Sequence, residues 1–511
     1  MTQATRSAGP DPTRERPRPV ACAAVAKPTI LHNPNCGTSR KVVAAVEAAG
    51  VEAEITLSYG ATEAKIPEIA DAVVEIGGFA PEVLAAAAEA ARREPTEHVD
   101  RTDWPFVTLD PASSTDLDQA FTISRSGNDL VLHYAIADVG WFVRDGDVVD
   151  TEAWRRGSTL YLPDGRESLY PAVLSEGAVS LLPDGPRPAV VFHVRLDTDG
   201  NPSLDGVERS IIRNRAKLGY ENVTLADLPI DFAEFAARVE RNETERGAGR
   251  VDPPEQLVER EGRGYRLVFR PRQPTEAQNA ALSASTNIAV AHAMQAARTG
   301  LFRVMPEPDQ RAVARLRHTA HAFGMHWPKH QTLDDYARTL DPNDPRHAAF
   351  MLALRRAAGG ASYATYADGV TPWHSALAAT YAHSTAPLRR LADRYVVECA
   401  LAVANGREVP EAVQAALPRL PDTMAAASSQ SSKVDRAVVD LAEAVLLQGH
   451  EGHTFRAVVV EDEGDVSRIQ LVDIAVVAKL RAAKLRPGDE CRVKLVRTDP
   501  ARREVEFTRV A

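Results

Sequence analysis

The chain has 511 residues, 44% of them hydrophobic and 25% charged, the composition of an ordinary globular protein with room for more than one domain. No uncharged apolar run approaches the roughly 20 residues that cross a bilayer, and the four cysteines (Cys22, Cys36, Cys399, Cys491) form no CxxC pair; this argues against a membrane span, a disulfide framework or a zinc knuckle and for the cytoplasm. A formal net charge of −10 excludes a protein that coats nucleic acid by bulk electrostatics, so any nucleic-acid site must be local.

Residues 1–27 are rich in proline and basic side chains, lack the apolar core of a secretory signal, and read as a disordered tail. Residues 28–60 read as strand, turn, helix and strand: TIL, the loop HNPNCGTSR, an alanine-rich helix to Gly50, then VEAEITLSY. This is one βαβ-sized unit, too small to fold alone. Residues 61–103 are expected to be a helical linker, with Ile66, Ile69, Ala70 and Val73 at i, i+3, i+4, i+7, then PEVLAAAAEAARR, and Pro95 as breaker.

From Trp104 to about Arg213 the pattern changes to strand-like runs (FVTL, LVLHYAIA, STLYL, AVVFHVRL) between Asp, Gly and Pro turns. From Thr275 to Gly449 helical periodicity dominates, ending with Val434, Val438, Leu441 and Val445 on one face and Gly449 as C-cap. Residues 104–449 thus form one large α+β domain. Residues 450–511 revert to short strands (TFRAVVV, VSRIQLV, CRVKLV, REVEF) at the spacing of a small barrel such as an OB-fold, a common binder of single-stranded nucleic acid.

Chemistry concentrates in FVTLDPASSTDLDQAF, where an apolar strand delivers Asp110 into a turn of small residues that presents Asp116 and Asp118. If the chain is extended there, Asp116 and Asp118 project to one side. Clustered carboxylates repel unless a cation intervenes, and hard oxygen donors select Mg²⁺ or Mn²⁺. The alternative for such a run is a solvated acidic turn. No HExxH, GxSxG, Walker loop or GxGxxG is present, and His374 and His383, nine residues apart, form no rival metal pair; His383 is expected to be packed rather than a general base.

Together with HYAIADVGWFV, RRGSTLYLPDGR, LSEGAVSLLPDGPRP and YAHSTAPLRRLADRY, this run resembles the ribonuclease II and R (RNB) family of processive exoribonucleases. The five motifs occur in order across about 290 residues of the segment 104–449, and the terminal strands resemble the OB-type RNA-binding domain that closes these enzymes. The resemblance implies hydrolysis of single-stranded RNA from the 3′ end to nucleoside 5′-monophosphates with bound Mg²⁺ (or Mn²⁺), and neither DNA nor a membrane as partner. Asp110, Asp116 and Asp118 match three of the family's four active-site aspartates; the fourth position is Gln119, which removes one negative charge but keeps a carbonyl oxygen able to ligate.

In TAPLRRL, Arg389 matches the arginine that contacts the scissile phosphate, Arg390 is a candidate for a neighbouring phosphate, and Leu391 stands where the family often has an aromatic. Tyr161 matches the tyrosine that stacks on the terminal nucleotide. Asp138 lies in a motif but suits a turn cap equally, and Asn279 falls near a ribose contact only by loose alignment. The last stretch, Lys479 to Ala511, holds ten basic residues against five acidic ones, a local excess able to follow an RNA backbone.

Two other readings remain open on the sequence. One is an RNA-binding or remodelling protein whose site decayed with Gln119. The other rests on LHNPNCGTSRKVVAAVEAAGVEAEI, which resembles the start of glutaredoxin-coupled arsenate reductases over about thirty residues, with Cys36 at a helix N-terminus and Arg40 nearby. A fused remnant is the preferred account of that segment over a working thiol-dependent oxyanion reductase.

Overall fold

The computed structural model describes residues 29–32, 54–57 and 78–510, apart from residues 164, 250–254, 262–263, 271–272, 342–343, 358, 463–465, 473 and 482–484. Two units separate, residues 1–60 and 61–511. In the first, β1 (Thr29–His32) pairs in parallel with β2 (Glu54–Leu57), Thr29 opposite Glu54. Parallel neighbours need a crossover between them; Cys36, Arg40 and the expected helix lie outside the described residues, as do residues 58–77.

In the second unit one helix of the expected linker is present, Pro81–Ala90, burying Val83, Ala87 and Ala90. The linker does not extend to residue 103, however. β3 runs Val99–Asp110, so the strand begins five residues before the expected boundary, and its first half reads as polar because it lies exposed.

β3, β4 (Gln119–Ser126), β5 (Asp129–Ala137), β8 (Pro186–Leu196) and β9 (Pro202–Gly219) close into a barrel. Its neighbours are antiparallel except at the closing seam, where β3 meets β9 in parallel, because an odd number of up-and-down strands can close only with one parallel pair. The near-continuous apolar runs of β5 and β8 follow from burial on both faces, with Phe106, Phe121, Tyr134 and Phe192 inaccessible in the centre. Between β5 and β8 the chain makes a short hairpin, β6 (Leu160–Leu162) with β7 (Gly165–Glu167).

The helix Pro274–Ala296 opens with a capping box between Gln273 and Glu276 and buries its middle, between Ala281 and Met294. The stretch expected to be helical also holds two small strand pairs, β12 (Leu301–Val304) with β13 (Ser362–Thr365) and β14 (Trp373–His374) with β15 (Ala379–Thr380). Before them comes the hairpin β10 (Glu255–Glu261) and β11 (Gly264–Arg270). The short strands were hidden because two to four residues show no period. Helices Gln310–Ala322 and Pro345–Ala357 form a satellite around Trp327, Tyr336 and Phe350, with Trp327 stacked on Tyr336 at 4.8 Å.

The C-terminal strands β16 (Thr454–Asp462), β17 (Val466–Leu471), β18 (Val477–Arg481), β19 (Glu490–Asp499) and β20 (Glu504–Val510) close in the order β16-β17-β18-β20-β19, the OB-fold order. Val459, Ile469, Leu480, Val493 and Leu495 fill it. The expected α+β architecture with a terminal OB-type barrel is therefore present.

The helix Leu420–Leu447 runs between β6 and the C-terminal barrel, and its Val434, Val438, Leu441 and Val445 cluster with Leu160 and Leu162 of β6 and Val258 of β10. Near its end Glu443 is buried and accepts hydrogen bonds from Val477 N (2.8 Å) and Gln256 Nε2 (2.7 Å), and Gln256 also donates to Ala475 O (2.7 Å). Burial, reinforced by Asp440 and opposed by those two donors and Arg468, pushes Glu443 up to about 8. The folded state therefore holds its proton where the unfolded chain has lost it, and this group makes stability fall as pH rises from about 4.5 to about 8. Glu443→Gln keeps an acceptor oxygen and removes the charge, so the variant's urea midpoint should gain on the wild type between pH 5 and 8; an equal difference at both pH values would show that Glu443 is ionised throughout.

Candidate active site

β3 ends at Asp110, and the chain around it is pinned from outside the barrel seam. Tyr220 N donates to Asp110 O (3.2 Å), Asn279 Nδ2 donates to Leu109 O (3.0 Å) and to Tyr220 Oη (2.8 Å), and Lys217 Nζ donates to Ala112 O (2.8 Å). Asn279 thus braces the main chain below Asp110. Beyond the turn Leu117 points into the core, its N–H donating to Ser180 Oγ (2.9 Å) and its carbonyl accepting from Leu181 N (3.0 Å). Alternation sends Asp116 and Asp118 the other way, as their extended chain requires.

Asp118 is only 4% exposed. Its Oδ1 accepts from Leu388 N (2.7 Å), and its Oδ2 lies 3.5 Å from Arg389 Nε. Burial pushes Asp118 up to about 8 and Asp110 up to about 6, with Arg389 opposing the shift in both and Asp116 adding to it. Asp116 faces different partners: it accepts from Tyr161 Oη (3.0 Å) and pairs with Arg166, whose guanidinium also reaches Glu176 Oε1 (2.8 Å).

Arg389 comes from a loop fixed by a buried polar network. Asn287 Oδ1 accepts from both Ser384 N and Ser384 Oγ at 2.8 Å, and Ser283, one turn earlier on the same helix, shares a hydrogen bond with Thr385 at 2.8 Å. Asp393 accepts from Ala386 N (2.8 Å) and from both arms of Arg390 (2.9 and 2.7 Å). Thr159 N donates to Arg389 O (3.0 Å), which knits the segment carrying Tyr161 to the arginine loop. Arg389 itself is 41% exposed, with its fork open to a ligand.

The other residues singled out by sequence fall into place around this centre. Tyr161 lies beside Asp116, 49% exposed, with its ring available for stacking. Arg390 turns its Nε and Nη2 to Asp393, which ties it into the loop. Asp138 caps the short helix Val139–Phe142 through Trp141 N (3.1 Å) and pairs with Arg209 (2.9 Å), a structural role. His383 is partly buried between Tyr363 and Tyr381, with Tyr363 Oη at 2.7 Å. Gln119 opens β4 and its Oε1 accepts from Tyr134 Oη.

The three aspartates feel one another's charge, yet among the described residues no three His, Cys, Asp or Glu side chains stand close enough to share one ion. The convergence read from spacing alone is therefore looser than expected, because Asp116 is drawn to Arg166 and Tyr161. The donor chemistry nonetheless fits a hard divalent cation: Asp110 and Asp118 are desolvated carboxylates that burial has left short of positive charge. Arg166, Lys217 and Tyr134 escaped the sequence reading; Arg166 stood at the end of a recognised motif, while Lys217 and Tyr134 gave no signal.

Residues 98–403 match the RNB domain and residues 453–510 match the RNase II-type exonuclease C-terminal S1 domain. The chain belongs to the RNB-domain family. It is similar to Ribonuclease R of Thermotoga maritima, 25% identical over 492 residues, covering 85% of this chain and 69% of the relative. Its fold matches Mycoplasma genitalium RNase R, both in the apo form (TM-score 0.77) and in complex with ribose-methylated single-stranded RNA (TM-score 0.76), at 19% identity over 87% of this chain and 77% of the other. It also matches yeast Ssd1, a pseudonuclease, with TM-score 0.61 and 16% identity over 80% of this chain and 52% of that one. Likeness at such identity speaks to fold alone, and that fold also serves a protein without nuclease activity.

Breaking a buried ion pair from one side costs about 3–5 kcal/mol. Asp393→Ala should therefore lower unfolding stability by roughly that much, and Arg389→Ala by clearly less, because Asp118 keeps the Leu388 N–H when its half-exposed arginine is lost. Urea unfolding of both variants checks the division between brace and presented arginine; the reverse order would make Arg389 the brace.

Proposed function

We propose that this protein is a cytoplasmic 3′-to-5′ exoribonuclease that hydrolyses single-stranded RNA to nucleoside 5′-monophosphates with Mg²⁺ or, in its place, Mn²⁺. The observation that carries the reading is the contact of Asp118 with Leu388, 270 residues on in sequence, and with the phosphate-suited Arg389 beside it, which joins the carboxylate loop to the arginine loop. Asp110, Asp116, Asp118 and the Gln119 carbonyl are the groups to hold the cation. When bound, it supplies Lewis-acid polarisation of the phosphate and neutralises the carboxylates.

The remaining work falls to the chain's own side chains. The open face of Tyr161 stacks on the terminal base, an interaction worth about 1–3 kcal/mol and indifferent to sequence. Arg389 grips the scissile phosphate and stabilises the charge that grows on it. Asp118, fixed at one oxygen by Leu388 N–H, orients the attacking water with the other. The arrangement suits a degrader that reads shape and charge instead of sequence.

A second reading, RNA binding without hydrolysis, is favoured by one observation: Gln119 has replaced a carboxylate and its oxygen is engaged by Tyr134. Incubating 5′-labelled single-stranded RNA with the protein and Mg²⁺ separates the two. A ladder that shortens from the 3′ end and stops on chelation is expected; intact RNA that remains protein-bound would establish the second reading.

Asp118→Asn keeps the shape and the Leu388 hydrogen bond but removes the charge, so turnover should fall by about 10²-fold or more with RNA affinity unchanged. Arg389→Lys should lose a similar factor, because a point charge cannot reproduce a forked grip. Near-normal rates in either would remove that residue from the mechanism. With a neutral amide at 119 the cluster attracts a cation less strongly, so Gln119→Asp should need less Mg²⁺ for half-maximal activity than wild type. Superimposable Mg²⁺ titrations would place position 119 beyond the metal's reach.

A further inference from the structure

The three aspartates of the candidate site do not draw their positive charge from one source. Arg389 opposes the effect of burial on Asp110 and Asp118, whereas Asp116 is served by the β6–β7 hairpin. Tyr161 and Arg166 stand directly opposite one another across that hairpin, and both reach the same carboxylate. The phenol donates to Asp116 Oδ2 (3.0 Å) and the guanidinium to Oδ1. The Asp116 side chain is 9% exposed, so one strand pair takes both of its oxygens and leaves little of it to water.

The other arm of Arg166 already has a second carboxylate. Its Nη2 donates to Thr115 Oγ1 and pairs with Glu176 Oε1 (2.8 Å), and Thr115 Oγ1 in turn donates to Glu176 Oε2 (3.0 Å). Glu176 sits in a single widened helical turn, Leu174–Ala178, closed by Val179 N on Leu174 O (3.1 Å). Its partial burial is outweighed by the hydrogen bonds from Arg166 and Thr115, which hold its carboxyl below the usual range. The guanidinium therefore lies between two carboxylates. It can give up Asp116 without being stranded as an unpaired, half-buried charge, the state that makes most buried ion pairs costly to break.

We propose that Arg166 is a displaceable counter-ion: it holds Asp116 on the β6–β7 hairpin and yields it to the divalent cation by passing to Glu176, so that this arginine sets the affinity of the site for the cation. The proposal rests on the reading of the protein as a metal-dependent exonuclease and names what decides when its carboxylates can come together. A guanidinium and a divalent cation on the same carboxylate repel each other, so one must leave. Asp116 is also the aspartate whose partners keep the three from standing around one ion. With an amide at position 119 the site has no carboxylate to spare, which makes the state of Asp116 decisive. Arg166 acts through Asp116 and is a positioning residue. Tyr161 leaves the same carboxylate when the hairpin shifts, so the ring that takes the terminal base and the cation site are set together.

The test is equilibrium binding of Mn²⁺ alone to the full chain, without RNA, read from the electron paramagnetic resonance signal of the free ion. Arg166→Gln should tighten binding by about tenfold or more, because it removes a competing positive charge from Asp116 and keeps a hydrogen-bond donor. Arg166→Lys, which keeps the charge, should stay within about threefold of wild type. Glu176→Gln should weaken binding by about threefold or more, since the arginine then has no second carboxylate to pass to. The opposite signs matter: a purely structural role would loosen the hairpin and weaken binding in both Gln variants, with the loosening visible in thermal unfolding. Weaker binding in Arg166→Gln, or equal binding in wild type and Glu176→Gln, would overturn the proposal. So would an equal gain from Arg155→Gln, an exposed partner of Glu152, since net charge alone would then explain it. A gain that survives Asp118→Asn would place the ion elsewhere and overturn it too. Mn²⁺ bound equally by wild type and Arg166→Gln removes the counter-ion and leaves the exonuclease reading in place; no Mn²⁺ bound by any of these proteins removes the metal-dependent reading with it.

Discussion

One hydrogen bond organises the site: the Leu388 N–H holds Asp118 Oδ1 at 2.7 Å inside a region almost closed to water. A desolvated carboxylate is costly unless it gathers positive charge or a proton. Asp118 gathers a main-chain donor and the flank of Arg389. The arginine loop cannot move without stripping that carboxylate, and the carboxylate loop cannot move without releasing Arg389. The buried network of Asn287, Ser384, Thr385 and Asp393 keeps the loop in that one position.

Much of this was legible in the residues. The strand-to-turn pattern of FVTLDPASSTDLDQAF located Asp110 and the alternating Asp116 and Asp118, and the short strands after Gly449 indicated a small barrel. Both patterns are local, and local periodicity survives into structure when one face is buried. The pairing of Arg390 was not legible, for the opposite reason. Its neighbour Arg389 and it are chemically identical in sequence, and only the position of Asp393 one helical turn on, reaching back to Ala386 N, decides which guanidinium is a brace.

Arg166, Lys217 and Tyr134 were invisible because their roles are tertiary. Arg166 acts on Asp116 fifty residues before it, and Lys217 reaches Ala112 across the barrel seam. Likewise the looseness of the carboxylate cluster could not be foreseen. Spacing says that Asp116 and Asp118 share a side, but the pull of Arg166 and Tyr161 on Asp116 comes from a hairpin whose docking depends on the helix Leu420–Leu447.

The parallel seam between β3 and β9 carries a consequence for the life of the chain. Asp110 sits at that seam opposite Gly219, so the strand that delivers it has no closing partner until more than a hundred further residues have been made. Arg389 arrives later still. Contacts so distant along the chain form late in folding. A half-folded copy therefore holds the carboxylates without the arginine that completes the candidate site.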